Sequence, residues 1–244
     1  MKVGIISDIH GNWEALREVV KFGEKSSVEK WWCLGDIVGY YPQPVECIEW
    51  VSENCEICVM GNHDSAVTDE KTLSFFNPVA REALLFTRKL LKEEHLEFLA
   101  SLPLVVEKED IVLSHSNPFY PELWTYIFDA FDVFCLFSLK KPKELKKIYL
   151  IGHTHIPAIF SYDGGKVKEE RFPLIIKENV AYLLNPGSVG QPRDGVNSSS
   201  FLILDLEKLE FILHRINYDF KIVQKLVIES GLPKFLADRL EKGI

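Results

Sequence analysis

Five short apolar runs of this 244-residue chain end in residues able to hold a cation or move a proton. They are Asp8 with His10, Asp36, Asn62 with His63, His115, and His153 with His155. Carboxylate oxygens and imidazole nitrogens both suit borderline divalent metals. Asp8 and His10 stand two apart, as do His153 and His155, and in extended backbone that spacing turns both side chains to one side. Gly35, Gly61 and Gly152 precede Asp36, Asn62 and His153, where glycine permits a tight turn and close backbone approach. Two aspartates, one asparagine and four histidines would supply seven donors, too many for one tetrahedral ion. They suit two divalent ions sharing a bridging carboxylate, about 3.5–4 Å apart. His95 and His214 fall on a predicted helix and a distal strand, and are read as outside the site.

Those residues must be positioned by the elements before them. The run from Lys2 predicts a buried strand, and Asn12 predicts a helix cap with the helix reaching about Lys25. A strand over 30–34, a helix opened by Pro44, and a strand over 55–60 complete strand–helix–strand–helix–strand, the signature of a parallel layer covered by helices. Loops after such strands gather at the carboxyl edge, where ligands bind. The stretch 65–101 reads as helical, followed by a hairpin near 104–113, an aromatic-rich stretch without clear period over 116–147, and a strand over 148–151. Strands near 159–162, 166–172, 181–184, 201–206 and 210–216 follow, then two helices split at Gly231-Leu232-Pro233. No repeat or linker interrupts residues 1–244, so one domain is expected, with a helical and aromatic insert around 65–147.

Composition excludes several classes. Apolar residues make up 47%, enough for a sizeable core, and the net charge of −8 argues against a duplex nucleic-acid binder. No apolar run reaches membrane-spanning length. No signal-peptide pattern precedes the first strand, so a cytoplasmic location is expected. Cys33, Cys47, Cys55, Cys58 and Cys135 form no disulfide framework, and the Cys55/Cys58 pair lacks the second pair a zinc site would want.

Taken together, Asp8-x-His10, Gly35-Asp36-x-x-Gly39, Gly61-Asn62-His63-Asp64, His115 and Gly152-His153-x-His155 resemble the calcineurin-like metallophosphoesterase superfamily. Gly35 to Tyr40, the segment Asn185 to Gly195 and the tail from Tyr218 to Leu240 are similar to a prokaryotic subgroup labelled phosphodiesterase or diadenosine-tetraphosphatase-like. The resemblance implies an α/β fold, a four-layer αββα sandwich with the metals at one edge. It also implies a ligand assignment. Asp8, His10 and His155 would hold one ion, Asn62, His115 and His153 a second, and Asp36 would bridge. His63 matches the family's catalytic histidine, with Asp64 expected to orient it. Ser116 and Tyr41 stand where the subgroup usually has glycine, which leaves the substrate mouth unassigned by the resemblance.

The function expected is a dinuclear-metal phosphoesterase acting on small or nucleotide phosphate esters, with diesters favoured. A hydroxide bridging the ions would attack phosphorus in line, and His63 would assist the leaving oxygen. Arg193 is the basic residue of its loop and could clamp a phosphate or pair with Asp194. Tyr41, with Tyr40, Phe119, Tyr120 and Trp124, could stack on a nucleobase, or most of them could pack in the core or the rim. Manganese is favoured, with iron, zinc, nickel and cobalt also suited to these ligands. A phosphomonoesterase or protein phosphatase is the alternative, and a non-catalytic scaffold on this fold is a further one. The sequence does not fix the oligomeric state.

Overall fold

The computed structural model of the chain describes residues 1–69 and 71–244. Strand β1 (Lys2–Ile6) leads into helix α1 (Trp13–Lys25), whose first turn is capped by Asn12, its side chain accepting from Ala15 N at 3.1 Å. Strand β2 (Lys30–Cys33), helix α2 (Pro44–Asn54) and strand β3 (Cys55–Cys58) follow, with Pro44 in the first turn of α2. Helices α3 (Asn62–Thr68), α4 (Pro78–Leu90) and α5 (Glu93–Ser101) precede the hairpin of β4 (Val105–Lys108) and β5 (Ile111–Ser114). Helix α6 (Ala130–Phe137) comes next, then β6 (Ile148–Leu150), β7 (Pro157–Asp163), β8 (Lys166–Glu169), β9 (Leu174–Ile175) and β10 (Ala181–Pro186). Strands β11 (Ser199–Asp205) and β12 (Glu210–Ile216) and helices α7 (Phe220–Glu229) and α8 (Lys234–Lys242) complete the chain.

The strands form two mixed six-stranded sheets, in the orders β3-β2-β1-β11-β12-β9 and β4-β5-β6-β10-β7-β8. In the first, β1, β2 and β3 run parallel, and in the second β5, β6 and β10 do. Period-two alternation splits each strand between layers. Val3 and Ile5 of β1 point between the sheets and meet Ile111, Leu113 and Leu150, whereas Ile6 points outward under α1 and α2. Beyond the second sheet, Val133, Leu136 and Phe137 of α6 pack on Tyr149, Phe160 and Leu183. Helices, sheet, sheet and α6 make the four-layer αββα sandwich, and each fully buried aliphatic side chain in it contributes about 1.5–3 kcal/mol.

The strand β9 was not expected, since two residues carry no legible period. Within 65–147, β4 and β5 belong to the second sheet, so this stretch supplies part of the sandwich as well as α3 to α6.

Candidate metal centre and substrate cleft

The carboxyl ends of β1, β2 and β3 lie beside those of β5 and β6, and the strand-end residues meet there. Asp8, His10, Asp36 and His155 offer ligand atoms that all lie within 4.8 Å of one another, and Asp36, His115 and His153 do the same. All six are buried. The two groups share Asp36.

Spacing alone predicts extended backbone at Asp8-x-His10 and His153-x-His155, but the chain does something else. Asp8 and His10 both have φ of 54°, Asp36 54°, His153 69° and His155 61°. A left-handed conformation at a non-glycine residue costs roughly 1–2 kcal/mol, so this edge concentrates strain where side chains must converge. The side chains face one point because the backbone curls at each of them. The curl is pinned from outside: Val189 N donates to Ser7 O and Gly190 N to Asp8 O, both at 3.0 Å, and Ser188 Oγ donates to Asp8 O at 2.8 Å. Close approach also needs absent side chains. A Cβ at Gly61 would meet Asp36, and one at Gly152 would meet Ser7 Oγ and lie 2.8 Å from Asp8 Oδ2.

Each carboxylate has one oxygen tied down and one turned inward. Asp8 Oδ2 accepts from Ser7 Oγ (2.7 Å) and His153 N (3.2 Å), while Oδ1 has no hydrogen-bond donor and faces His155 Nε2 at 3.2 Å. Asp36 Oδ1 accepts from His63 N at 2.8 Å, and Oδ2 lies 3.3 Å from His115 Nε2 and 3.6 Å from His10 Nε2. The imidazoles are fixed the same way. Nδ1 of His10, His115 and His155 donates to the carbonyls of Val38 (3.0 Å), Leu34 (2.7 Å) and Gln191 (2.6 Å). His153 is reversed, its Nε2 donating to Trp124 O at 2.9 Å. Each such bond fixes the ring and turns its other nitrogen toward the site, where His10 Nε2 and His155 Nε2 lie 3.1 Å apart, the support that metal-binding histidines need. Buried side-chain atoms with no hydrogen-bond partner include Asp8 Oδ1, Asn62 Oδ1 and His115 Nε2. Orphaned buried polar atoms are costly, and these are the atoms a divalent cation would satisfy. The donor set fits the metals that the sequence suggests.

Electrostatics agrees. Burial lowers His10 and His155 well below the ordinary imidazole range, and takes His153 to about 3 and His63 to about 4. Burial also acts to lower His115, but the Asp36 carboxylate beside it outweighs that and raises it to about 10. Burial would raise Asp36, but the charge of His115 and the other imidazoles around it holds it well below the usual carboxylate range. Without a cation, His115 and Asp36 therefore form an ion pair.

His63 packs edge-on to His10 (ring centroids 4.7 Å) and against Tyr40 (4.6 Å) and Phe76 (5.0 Å). It lines a cleft of about 540 Å³ with Tyr40, Asn62, Phe76, Trp124 and Tyr126. The Tyr126 ring lies flat on His153, 4.0 Å between centroids at 10°. Tyr126 was not singled out by sequence reasoning; the aromatic-rich stretch around it was the available signal.

Two sequence expectations need correction. Tyr41 does not reach the cleft: it is fully buried, and its hydroxyl accepts from Gln191 Nε2 at 3.2 Å, because Gly39 turns the loop and sends Tyr41 into the core beneath it. Tyr40 takes the cleft wall instead. Asp64 does not hold His63, whose Nδ1 is buried with no partner. Its oxygens accept from backbone N–H groups: Asp36 (2.8 Å) and Gly61 (3.0 Å) on Oδ2, Ile37 (2.9 Å) and Val38 (3.2 Å) on Oδ1. Asp64 thus shapes the loop that carries Asp36. Arg193 donates to Gln191 Oε1 at 2.8 and 3.2 Å and to Tyr40 OH at 3.4 Å. Asp194 pairs with Arg215, so Arg193 has no carboxylate partner among the described residues. His95 and His214 lie outside the two ligand groups, and the five cysteines are free.

A double-sheet sandwich gathering buried imidazoles and carboxylates at one edge, beside an open cleft, defines a layered metallohydrolase of the phosphoesterase type. The chain belongs to the calcineurin-like phosphoesterase superfamily, whose domain matches residues 1–209. It is 39% identical, over 99% of its length and 98% of the relative's, to an uncharacterised protein of Methanocaldococcus jannaschii. It is 26% identical to the phosphodiesterase YfcE of Escherichia coli, over 87% of this chain and 91% of that protein. A metallophosphoesterase crystal structure from Sphaerobacter thermophilus superposes with a TM-score of 0.86 at 35% identity, covering 100% of this chain and 99% of the other. The protein is a metal-dependent phosphoester hydrolase. No helix among the described residues is long and apolar enough to cross a membrane.

Proposed function

We propose that this protein hydrolyses small or nucleotide phosphodiesters with two divalent cations, manganese favoured, held at the carboxyl edge of the two sheets. The observation that carries this reading is the pair of ligand groups sharing Asp36, with inward-facing Asp8 Oδ1, Asn62 Oδ1 and His115 Nε2 left without partners. Asp8, His10 and His155 would hold one cation, Asn62, His115 and His153 the other. When bound, the cations supply positive charge to the phosphoryl oxygens and acidify water.

The chain's own groups do the rest. Asn62 lines the cleft, and its Oδ1, which has no hydrogen-bond partner, would be offered to a cation, leaving the amide N–H groups as donors for a phosphoryl oxygen. His63 is neutral when metal-free because burial holds it near 4; the negative charge of a bound phosphate raises it, and it passes a proton to the leaving oxygen. Arg193, which has no salt-bridge partner among the described residues, steadies a non-reacting phosphate oxygen. Phe76, Trp124 and Tyr126 give the leaving group an apolar, aromatic wall, which favours a nucleoside or aryl ester over a bare phosphate.

The test uses protein stripped of metal and resupplied with Mn²⁺, given a diester and a monoester of the same aryl alcohol, with bound metal measured in parallel. Turnover of the diester supports the reading, and turnover of the monoester alone replaces it with a phosphatase. Silence on both with two ions bound removes the enzymatic reading. His63→Ala should keep its metal and lose about 10²–10⁴-fold in turnover.

A further inference from the structure

Helix α6 covers the second sheet with one face only. Val133, Leu136 and Phe137 are buried, while Phe131 is 71% and Phe134 42% exposed on the opposite side. Phe128 and Leu139 extend that side at either end, each 53% exposed, and the Phe128 ring stacks on Tyr126 at 5.3 Å. A covered aromatic side chain removes about 150–250 Å² from water. At these exposures Phe128, Phe131, Phe134 and Leu139 together present roughly 350–500 Å² of apolar surface, the size of the largest patch on a typical monomer, which is often functional. That is about half of the ~800 Å² that each partner contributes to a standard interface, enough for a small one.

The charges around the face have a direction. Asp129 and Asp132 stand at the amino end of α6, where Asp129 caps Phe131 N and Asp132 N, and Lys140 and Lys141 follow its carboxyl end. We propose that this face docks on the same face of a second copy of the chain, the two α6 helices antiparallel across a two-fold axis. An isologous contact needs a self-complementary patch. Antiparallel docking sets the acidic end of each helix against the basic end of the other and apposes the phenylalanines between them. The helix spans about 12 Å, so both ends engage at once. The rim carries both signs, which a second copy can match and a uniformly anionic bilayer cannot.

Cys135 supplies a reporter: it is exposed on this face, whereas Cys33 and Cys47 are buried and Cys55 and Cys58 half-buried. Sedimentation equilibrium at micromolar concentration should give twice the 28.1 kDa chain mass. The double substitution Phe131→Glu with Phe134→Glu should return the chain mass, weakening self-association at least about 100-fold, with metal-dependent hydrolysis of the synthetic diester retained. A short bis-maleimide should link wild-type copies and fail on Cys135→Ser. A monomeric wild type overturns the proposal, as does a dimer unmoved by the double substitution or one that Cys135 cannot link. Flotation of a monomeric protein with phosphatidylcholine vesicles would likewise overturn it and assign the face to a lipid surface.

Discussion

Replacing Asp64 by asparagine separates two roles for a carboxylate beside the catalytic histidine candidate. In the structure its four acceptor contacts go to N–H groups of residues 36, 37, 38 and 61, two on each oxygen. Asparagine keeps one acceptor oxygen, so whichever way the amide turns, two buried N–H groups face an amino group. Each orphaned buried donor costs about 1–3 kcal/mol, giving about 2–6 kcal/mol in total. A domain of this size melts roughly 2–4 °C lower per kcal/mol. Around a midpoint of about 4 kcal/mol, the metal-free variant should melt about 8–16 °C below wild type. Either pair of deprived donors includes an N–H of the loop that carries Asp36, so cation affinity should fall with stability. Calorimetric melting in chelator, followed by Mn²⁺ titration, reads both. Once loaded at saturating metal, the variant should turn over with an unaltered pH profile, because His63 Nδ1 makes no contact with Asp64. A melting temperature within about 2 °C of wild type, with turnover down 100-fold at full metal occupancy, would refute the reasoning.

Other perturbations follow the same geometry. Asp36 raises His115 to about 10, above the ordinary imidazole value of about 6.5. That ion pair therefore stabilises the metal-free protein fully below pH 6.5 and is lost as pH rises through about 10. Melting temperatures in chelator should fall across that interval while Mn²⁺ affinity rises, since the competing proton leaves. Arg193→Ala should raise KM about tenfold or more at little change in kcat, the worth of a charge-assisted hydrogen bond, in steady-state kinetics. Gly152→Ala puts a Cβ against Ser7 Oγ and Asp8, and equilibrium dialysis should show metal binding lost in a protein that stays folded. Tyr41→Phe removes only the hydroxyl facing Gln191 and should leave KM unchanged, whereas Tyr41→Ala should cost about 3–5 kcal/mol in urea unfolding as a core truncation.

The ligand constellation was legible because its residues end strands, and strands announce themselves by apolar runs. Once β1, β2 and β3 are placed in one parallel layer, Asp8, Asp36 and Asn62 must meet at its edge. The route to convergence was not legible. A two-residue spacing suggests extended backbone, yet Asp8, His10, Asp36, His153 and His155 all sit at positive φ. Asp and His are several-fold enriched at positive φ, but that tendency does not pick out these positions from the other aspartates and histidines; at Asp8 the curl is held by the distant Ser188 and Gly190. Tyr40 and Tyr41 show the limit of reading adjacency: of two consecutive buried tyrosines only Tyr40 lines the cleft, and the turn geometry decides which. Asp64 shows another. The family resemblance implied that Asp64 orients His63, whereas helix α3 turns consecutive side chains about a third of a turn apart. The stretch holding Trp124, Tyr126 and Phe128 carries no period, so its placement on His153 depends on tertiary packing alone.

The carbonyl of Trp124 belongs to the cleft wall, and it holds the Nε2 proton of His153 on the cleft floor. On the proposed function, grip on the leaving group and hold on a cation would thus pass through one peptide unit. A ligand that shifts the wall changes how well His153 is braced, and by thermodynamic reciprocity a cation on His153 changes that ligand's affinity by the same factor. Occupants that leave the peptide in place will bind the loaded and empty protein with similar contacts to the wall. Those that pry it away will compete with metal without touching a metal ligand, so an inhibitor of this kind would be recognised by loss of its potency as metal concentration rises.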